Sequence, residues 1–97
     1  MAYKLITTPE TEEDIENAVH YYSSIRANLA RLFLTELKAV KKYINKNPEK
    51  IQLRYKNVRI AFLKKFPYGI HYIFANDTIT IIAVFGTGDN PEKWQKR

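Results

Sequence analysis

The sequence predicts an α+β fold: an N-terminal strand, an antiparallel helical hairpin packed on a twisted antiparallel β-sheet, and a short C-terminal helical turn. Two periodicities and one loop carry that prediction. Apolar residues recur at helical spacing as far as Asn45 and at a spacing of two from Arg54 onward. Between two alternating apolar runs sits Asn76-Asp77, the composition of a two-residue hairpin loop.

In chain order, Tyr3 to Thr8 alternates as a short strand before Pro9. Thr11 is the expected N-cap of the first helix, with Asp14 in the place of the usual Glu of a capping box. Glu10, Glu12, Glu13, Asp14 and Glu16 then suit the positive end of the helix dipole, so their clustering needs no chemical role. Ile15, Ala18, Val19 and Tyr22 share one face, and at about 100° per residue His20 falls on the wet side. The second helix is expected from Ala27 to Asn45, where Leu29, Phe33, Leu37, Val40 and Ile44 form an apolar stripe. Arg31, Lys38 and Lys42 share its opposite face. The link around Ser23 to Asn28 is short, which folds the helices back on each other. Asn47-Pro48 ends the second helix, because a residue before proline disfavours helical angles.

Val58 to Lys65 reads as a strand and Phe66-Pro67-Tyr68-Gly69 as a turn. Ile70 to Ala75 and Thr78 to Phe85 follow as a hairpin with Ala75 opposite Thr78. In that register Ile70, Tyr72, Phe74, Ile79, Ile81, Ala83 and Phe85 lie on one side, to be covered by the helices. His71, Ile73, Thr78, Thr80, Ile82 and Val84 lie on the other, which is mixed and expected to be open. If Ile60 and Phe62 point to the helices, Arg59 and Lys65 share the open side with His71. Pro91 starts and Trp94 anchors the C-terminal turn.

The 97 residues fit one domain, expected over positions 1–97. With 45% apolar and 27% charged residues, the composition is that of a globular domain. The run Ile79 to Phe85 is far shorter than the roughly 20 residues of a membrane helix. Because Met1-Ala2-Tyr3-Lys4 runs straight into a strand pattern, no signal peptide is expected. The absence of cysteine excludes disulfide scaffolds and thiol catalysis, and is compatible with a reducing cytoplasm, the expected location. The net charge of +6 is regional: positions 38–65 carry ten basic residues against the single acid Glu49. Such a surface attracts polyanions, though a solvated face that keeps the protein soluble has the same composition.

Two histidines 51 residues apart, without cysteine, give no metal-ligand spacing, so neither metal nor cofactor is expected. No glycine-rich phosphate loop is present, and Ser23 and Ser24 lie in the interhelical link. What remains is the open sheet face, bordered by Tyr55, Tyr68, Trp94 and Arg97. Metal-free cleavage of RNA needs a base, a cation for the phosphorane and an acid for the leaving oxygen. His71, Arg59 and Lys65 are the candidates for those catalytic roles. Alternatively, His71 is a strand residue packing on Thr80 and Ile82.

Val58-Arg59, Phe66-Pro67-Tyr68, Tyr72 and Asn90-Pro91 with Trp94, in this order and at this length, resemble the RelE/ParE family of toxins. The resemblance runs from Tyr3 to Trp94. It implies two helices against a twisted antiparallel sheet, and the toxin role in a bacterial type II toxin–antitoxin (plasmid stabilisation) system. RelE-like members cleave messenger RNA on the ribosome with basic sheet residues and a C-terminal histidine or tyrosine, whereas ParE-like members poison DNA gyrase. Arg59 looks like the sheet arginine of the first group. However, Phe85-Gly86-Thr87-Gly88-Asp89 has glycine and aspartate where many relatives carry a histidine and an arginine. The expected protein is therefore ParE-like and works by binding, with a RelE-like endoribonuclease or a non-toxic nucleic-acid-binding module as alternatives.

The resemblance also implies a cognate antitoxin whose C-terminal segment folds on contact. Leu34, Ala30 and Tyr21 border the apolar faces of the helices and, with Arg31, Lys38 and Lys41 around them, suit an acidic amphipathic segment. Scattered surface apolar residues are the plainer alternative. Arg54, Lys56, Lys64, Trp94 and Arg97 are the expected contacts to nucleic acid or another target.

Overall fold

The computed structural model describes residues 3–89 together with Glu92 and Trp94. The chain runs β1 (Lys4–Thr7), α1 (Pro9–Ile25), α2 (Ala27–Lys46), β2 (Leu53–Tyr55), β3 (Val58–Phe62), β4 (Tyr68–Ala75) and β5 (Thr78–Gly86). The strands form one sheet in the order β1-β5-β4-β3-β2. Pairs among β2 to β5 are antiparallel, as expected, but β1 lies parallel to β5, so the sheet is mixed. The helical hairpin and the three strands between them reverse the chain an even number of times, which brings β5 back in the sense of β1. Of the expected C-terminal turn, Glu92 and Trp94 have 3₁₀ conformation; Asn90, Pro91 and Arg97 lie outside the described residues.

The helix α1 starts earlier than expected. Its N-cap is Thr8, whose side chain accepts from the Thr11 N–H, and Pro9 occupies the first turn. Proline there has its φ already set and no N–H to satisfy, which moves the start forward. Thr11 is thus inside the helix, fully buried, and its hydroxyl donates to the Ile81 carbonyl at 3.0 Å. Only Arg26, in extended conformation, separates the helices. At the other end Asn47 donates its N–H to the Tyr43 carbonyl at 2.9 Å and closes α2.

In the sheet, β2 has no sequence signature because three residues are too few to show alternation. The strand β3 stops at Phe62 rather than Lys65, since the N–H groups of Lys64 and Lys65 turn to the Glu36 carboxylate on α2 (2.7 and 3.1 Å). Asn76 and Asp77 have φ of 53° and 58°, the left-handed pair of a type I′ turn, and Ala75 pairs with Thr78 as expected.

The expected faces hold as far as Tyr72 and Ile81 and fail in β5 beyond them. Tyr72 pairs with Ile81 but the adjacent His71 pairs with Ala83, so Ile82 is an extra residue in β5. A bulge reverses the parity of everything after it. Val84 therefore turns inward and joins the core under the helices, while Ala83 and Phe85 turn outward beside His71. The start of α1 secures the bulge. Besides the Thr11 bond, the Thr8 N–H donates to Ile81 at 3.2 Å and the Asp14 carboxylate accepts the Val84 N–H at 3.1 Å.

The faces of β3 are also opposite to expectation. Arg59 pairs with Tyr72 and Ala61 with Ile70, which places them on the helix side; Ile60 and Phe62 point outward with His71 and Gly69. Gly69 makes this possible. A Cβ there would stand 2.7 Å from Ile60 and 3.2 Å from Phe62, so only glycine lets both side chains fold over it. On the inner side Phe33, with no exposed surface, meets the rings of Tyr22, Phe66 and Tyr68 at 5.5, 5.4 and 5.2 Å.

Candidate functional site

The three candidate catalytic residues do not converge. Arg59 lies on the helix side and is occupied: its guanidinium donates to the carbonyls of Ile51 at 2.5 Å and Glu49 at 3.2 Å. Beside it the Tyr72 hydroxyl donates to the Pro48 carbonyl at 2.7 Å. The two side chains clamp the segment between α2 and β2 onto the sheet. Burial pushes the Tyr72 phenol up to about 12, against a smaller opposing effect of the Arg59 charge. Lys65 is exposed in the β3–β4 connection, where its backbone is held by Glu36.

His71 is on the other side of the sheet and only 1% exposed. Its Nδ1 shares a hydrogen bond with the Tyr55 hydroxyl at 2.9 Å. Its ring meets Phe85 at 5.2 Å and Trp94 at 5.0 Å, and Trp94 in turn tilts over Tyr55 at 5.6 Å. The face expected to be open is therefore covered here by aromatic rings. The parity change at Ile82 sets Ala83 and Phe85 beside His71 in place of the expected Thr80 and Ile82. Trp94 itself is largely hidden from solvent against these rings.

Of the other expected contacts, Arg54, Lys56 and Lys64 are exposed, with the Arg54 guanidinium 5.3 Å from the Phe62 ring centre. On the helical hairpin Tyr21 is 57% and Leu34 43% exposed, but Ala30 is 7% exposed and belongs to the core. Its position one turn from Phe33 faces it toward the packed interior instead of a groove. Tyr21 borders a pocket of about 290 Å³ between α1 and β5, with Asp14, Tyr68 and Asp89 around it. There burial raises the Tyr68 phenol above its usual range, helped by Asp89 and Tyr21. A larger open groove, about 620 Å³, lies between α2 and β3, bordered by Val40, Tyr43, Ile51 and Phe62.

Three residues organise these surfaces in ways the sequence reading did not give them: Tyr55, expected only at the border of the open face; Tyr72, expected on the helix side and in the family motifs; and Asp14, expected in a capping box. Tyr55 and Tyr72 carried a signal, since a tyrosine in an apolar strand has a hydroxyl that needs a partner. Asp14 carried none beyond its place near a helix start. Among the described residues, no three His, Asp or Glu side chains gather as metal ligands would, and no helix is long and apolar enough to cross a membrane.

No protein-family model matches this sequence, and no curated protein matches it. Among solved structures, the chain is similar to one from the "Chromosomal ParDE TA system from P. aeruginosa", with a TM-score of 0.78 over 88% of this chain and 96% of that one. Sequence identity is 13%, so the likeness establishes the fold. That fold is the one the resemblance implied.

Proposed function

We propose that this protein is a ParE-like toxin of a type II toxin–antitoxin system, a single domain that acts in the cytoplasm by binding DNA gyrase and is neutralised by a cognate antitoxin. The observation that carries the reading is the likeness of fold to a ParDE system chain over nearly the whole length of both. The separation of Arg59, Lys65 and His71 supports binding over ribonuclease chemistry, because a base, a cation and an acid must meet at one phosphate. Arg54, Lys56, Lys64 and Trp94 remain the proposed target contacts. The antitoxin contact narrows to Tyr21 and Leu34, which leave large apolar surfaces on the outside of the hairpin.

Purified protein is expected to inhibit supercoiling or to trap cleaved DNA on gyrase, and to leave ribosome-bound message intact. Cuts in that message, with supercoiling untouched, would overturn the reading in favour of the RelE-like alternative.

A further inference from the structure

Among the described residues, β1 has β5 on one side and no further strand on the other. Backbone groups alternate in direction along a strand. The Thr8 N–H donates to the Ile81 carbonyl of β5 at 3.2 Å, so Lys4 and Ile6 also face β5. Tyr3, Leu5 and Thr7 therefore turn their N–H and C=O groups to the open side. At Tyr3 that side is taken by a side chain acting as a strand would. The Tyr3 N–H donates to Asn45 Oδ1 at 2.9 Å, and Asn45 Nδ2 donates to the Tyr3 carbonyl at 3.2 Å. Two residues on, Leu5 turns the same pair of groups to that side. There it borders a groove of about 330 Å³ together with Lys41, Lys42, Asn45 and Lys46 of α2.

We propose that an extended acidic segment of a partner protein adds to the edge of β1 as a sixth strand. Its backbone pairs with Leu5, and its carboxylates meet Lys41, Lys42 and Lys46. The chemistry of the edge selects that occupant. A helix satisfies its own backbone and would leave the Leu5 groups unused. A second copy of the chain would bring its own Lys4 and α2 lysines against these, and like charges oppose such pairing. An acidic strand answers both the edge and the charge. Its apolar residues on the outer side would rest on Ile6, which is 41% exposed. The surface lies toward the C-terminal end of α2, away from Tyr21 and Leu34, and its occupation does not depend on gyrase being the target.

The probe is a synthetic octapeptide alternating glutamate with valine, titrated into the intact protein at low salt. Amide exchange followed by NMR should slow at Leu5 by at least about tenfold at saturation, since a paired N–H exchanges only when the pairing opens. Affinity should fall as salt rises. Lys41→Glu combined with Lys42→Glu should weaken binding at least about tenfold, with the circular dichroism unchanged. The same peptide N-methylated throughout keeps its charge but has no backbone donors, and should bind at least about tenfold more weakly. Equal binding of the two peptides would overturn the proposal and leave charge attraction alone. An octapeptide that does not bind, or that binds with Leu5 exchange unchanged, would also overturn it and make the lysines guards of an unused edge. A DNA duplex that binds in the peptide's place without slowing Leu5 would overturn it in favour of phosphate contacts.

Discussion

The two faces of one sheet are built in different ways. The inner face is closed by two helices through a continuous layer of Phe33, Tyr22, Phe66, Ile70, Ile79 and Ile81, each belonging to the buried core. The outer face has His71 at its centre under Tyr55 and Trp94, with Phe85 beside it. Helices supply area on one side; on the other a few aromatic rings supply the cover. The same strands serve both faces, so what separates them is the parity of each strand. One inserted residue at Ile82 gives Val84 to the inner layer and Phe85 to the outer.

If that division is real, the sharpest way to break it is from inside. Phe33→Ala removes a ring with no exposed surface from the middle of the aromatic layer. Thermal or urea unfolding should show a loss of about 3–5 kcal/mol, the usual cost of emptying an aromatic site that cannot collapse. A loss below about 1 kcal/mol would mean that the helices do not carry the inner face.

The division of faces also depends on the bulge, and the bulge on α1. Asp14→Ala leaves the Val84 N–H without the carboxylate that accepts it. Stability should fall by about 1–3 kcal/mol, as for a buried donor left unpaired. Asp14→Asn, which keeps an acceptor oxygen, should lose less. Equal losses in the two variants would indicate that charge at the helix start, and not the bond to β5, is what Asp14 contributes.

The legible part of this fold was whatever repeats over many residues. The stripe from Leu29 to Ile44 marked α2, and Asn76-Asp77 with its flanking runs marked the β4–β5 hairpin and its register as far as Tyr72 and Ile81. Illegible were single events. An added residue at Ile82 leaves an apolar run apolar, so nothing in composition reveals that Ala83 and Phe85 have changed sides. Gly69 likewise looks like a turn residue until Ile60 and Phe62 are seen folded over it. Because the expected site was assembled by counting alternate residues, the reversed facing of β3 put Arg59 on the helix side, opposite His71, and the added residue in β5 put Ala83 and Phe85 beside His71. The likeness of fold survived them, since short motifs such as Phe66-Pro67-Tyr68, which carried the resemblance, do not depend on parity.

The smallest expected effect concerns the clamp that joins the inner face to the segment after α2. Tyr72→Phe deletes the bond to the Pro48 carbonyl but keeps the ring in place, so at neutral pH it should cost about 1 kcal/mol. Its alkaline behaviour distinguishes the clamp from simple packing. In the folded protein burial raises the Tyr72 phenol to about 12, whereas an unfolded chain ionises it near the ordinary value of about 10. The folded state then holds its proton more tightly, so this contribution to stability is complete below about pH 10 and disappears as pH rises toward about 12. Burial also raises Tyr22 and Tyr68, so part of the alkaline loss should persist in the variant. Denaturant unfolding between pH 9 and 12 should show a steeper fall for the intact protein than for Tyr72→Phe. Parallel curves would mean that the Tyr72 hydroxyl ionises as readily in the folded protein as in water, and that the bond to Pro48 does not hold the segment down.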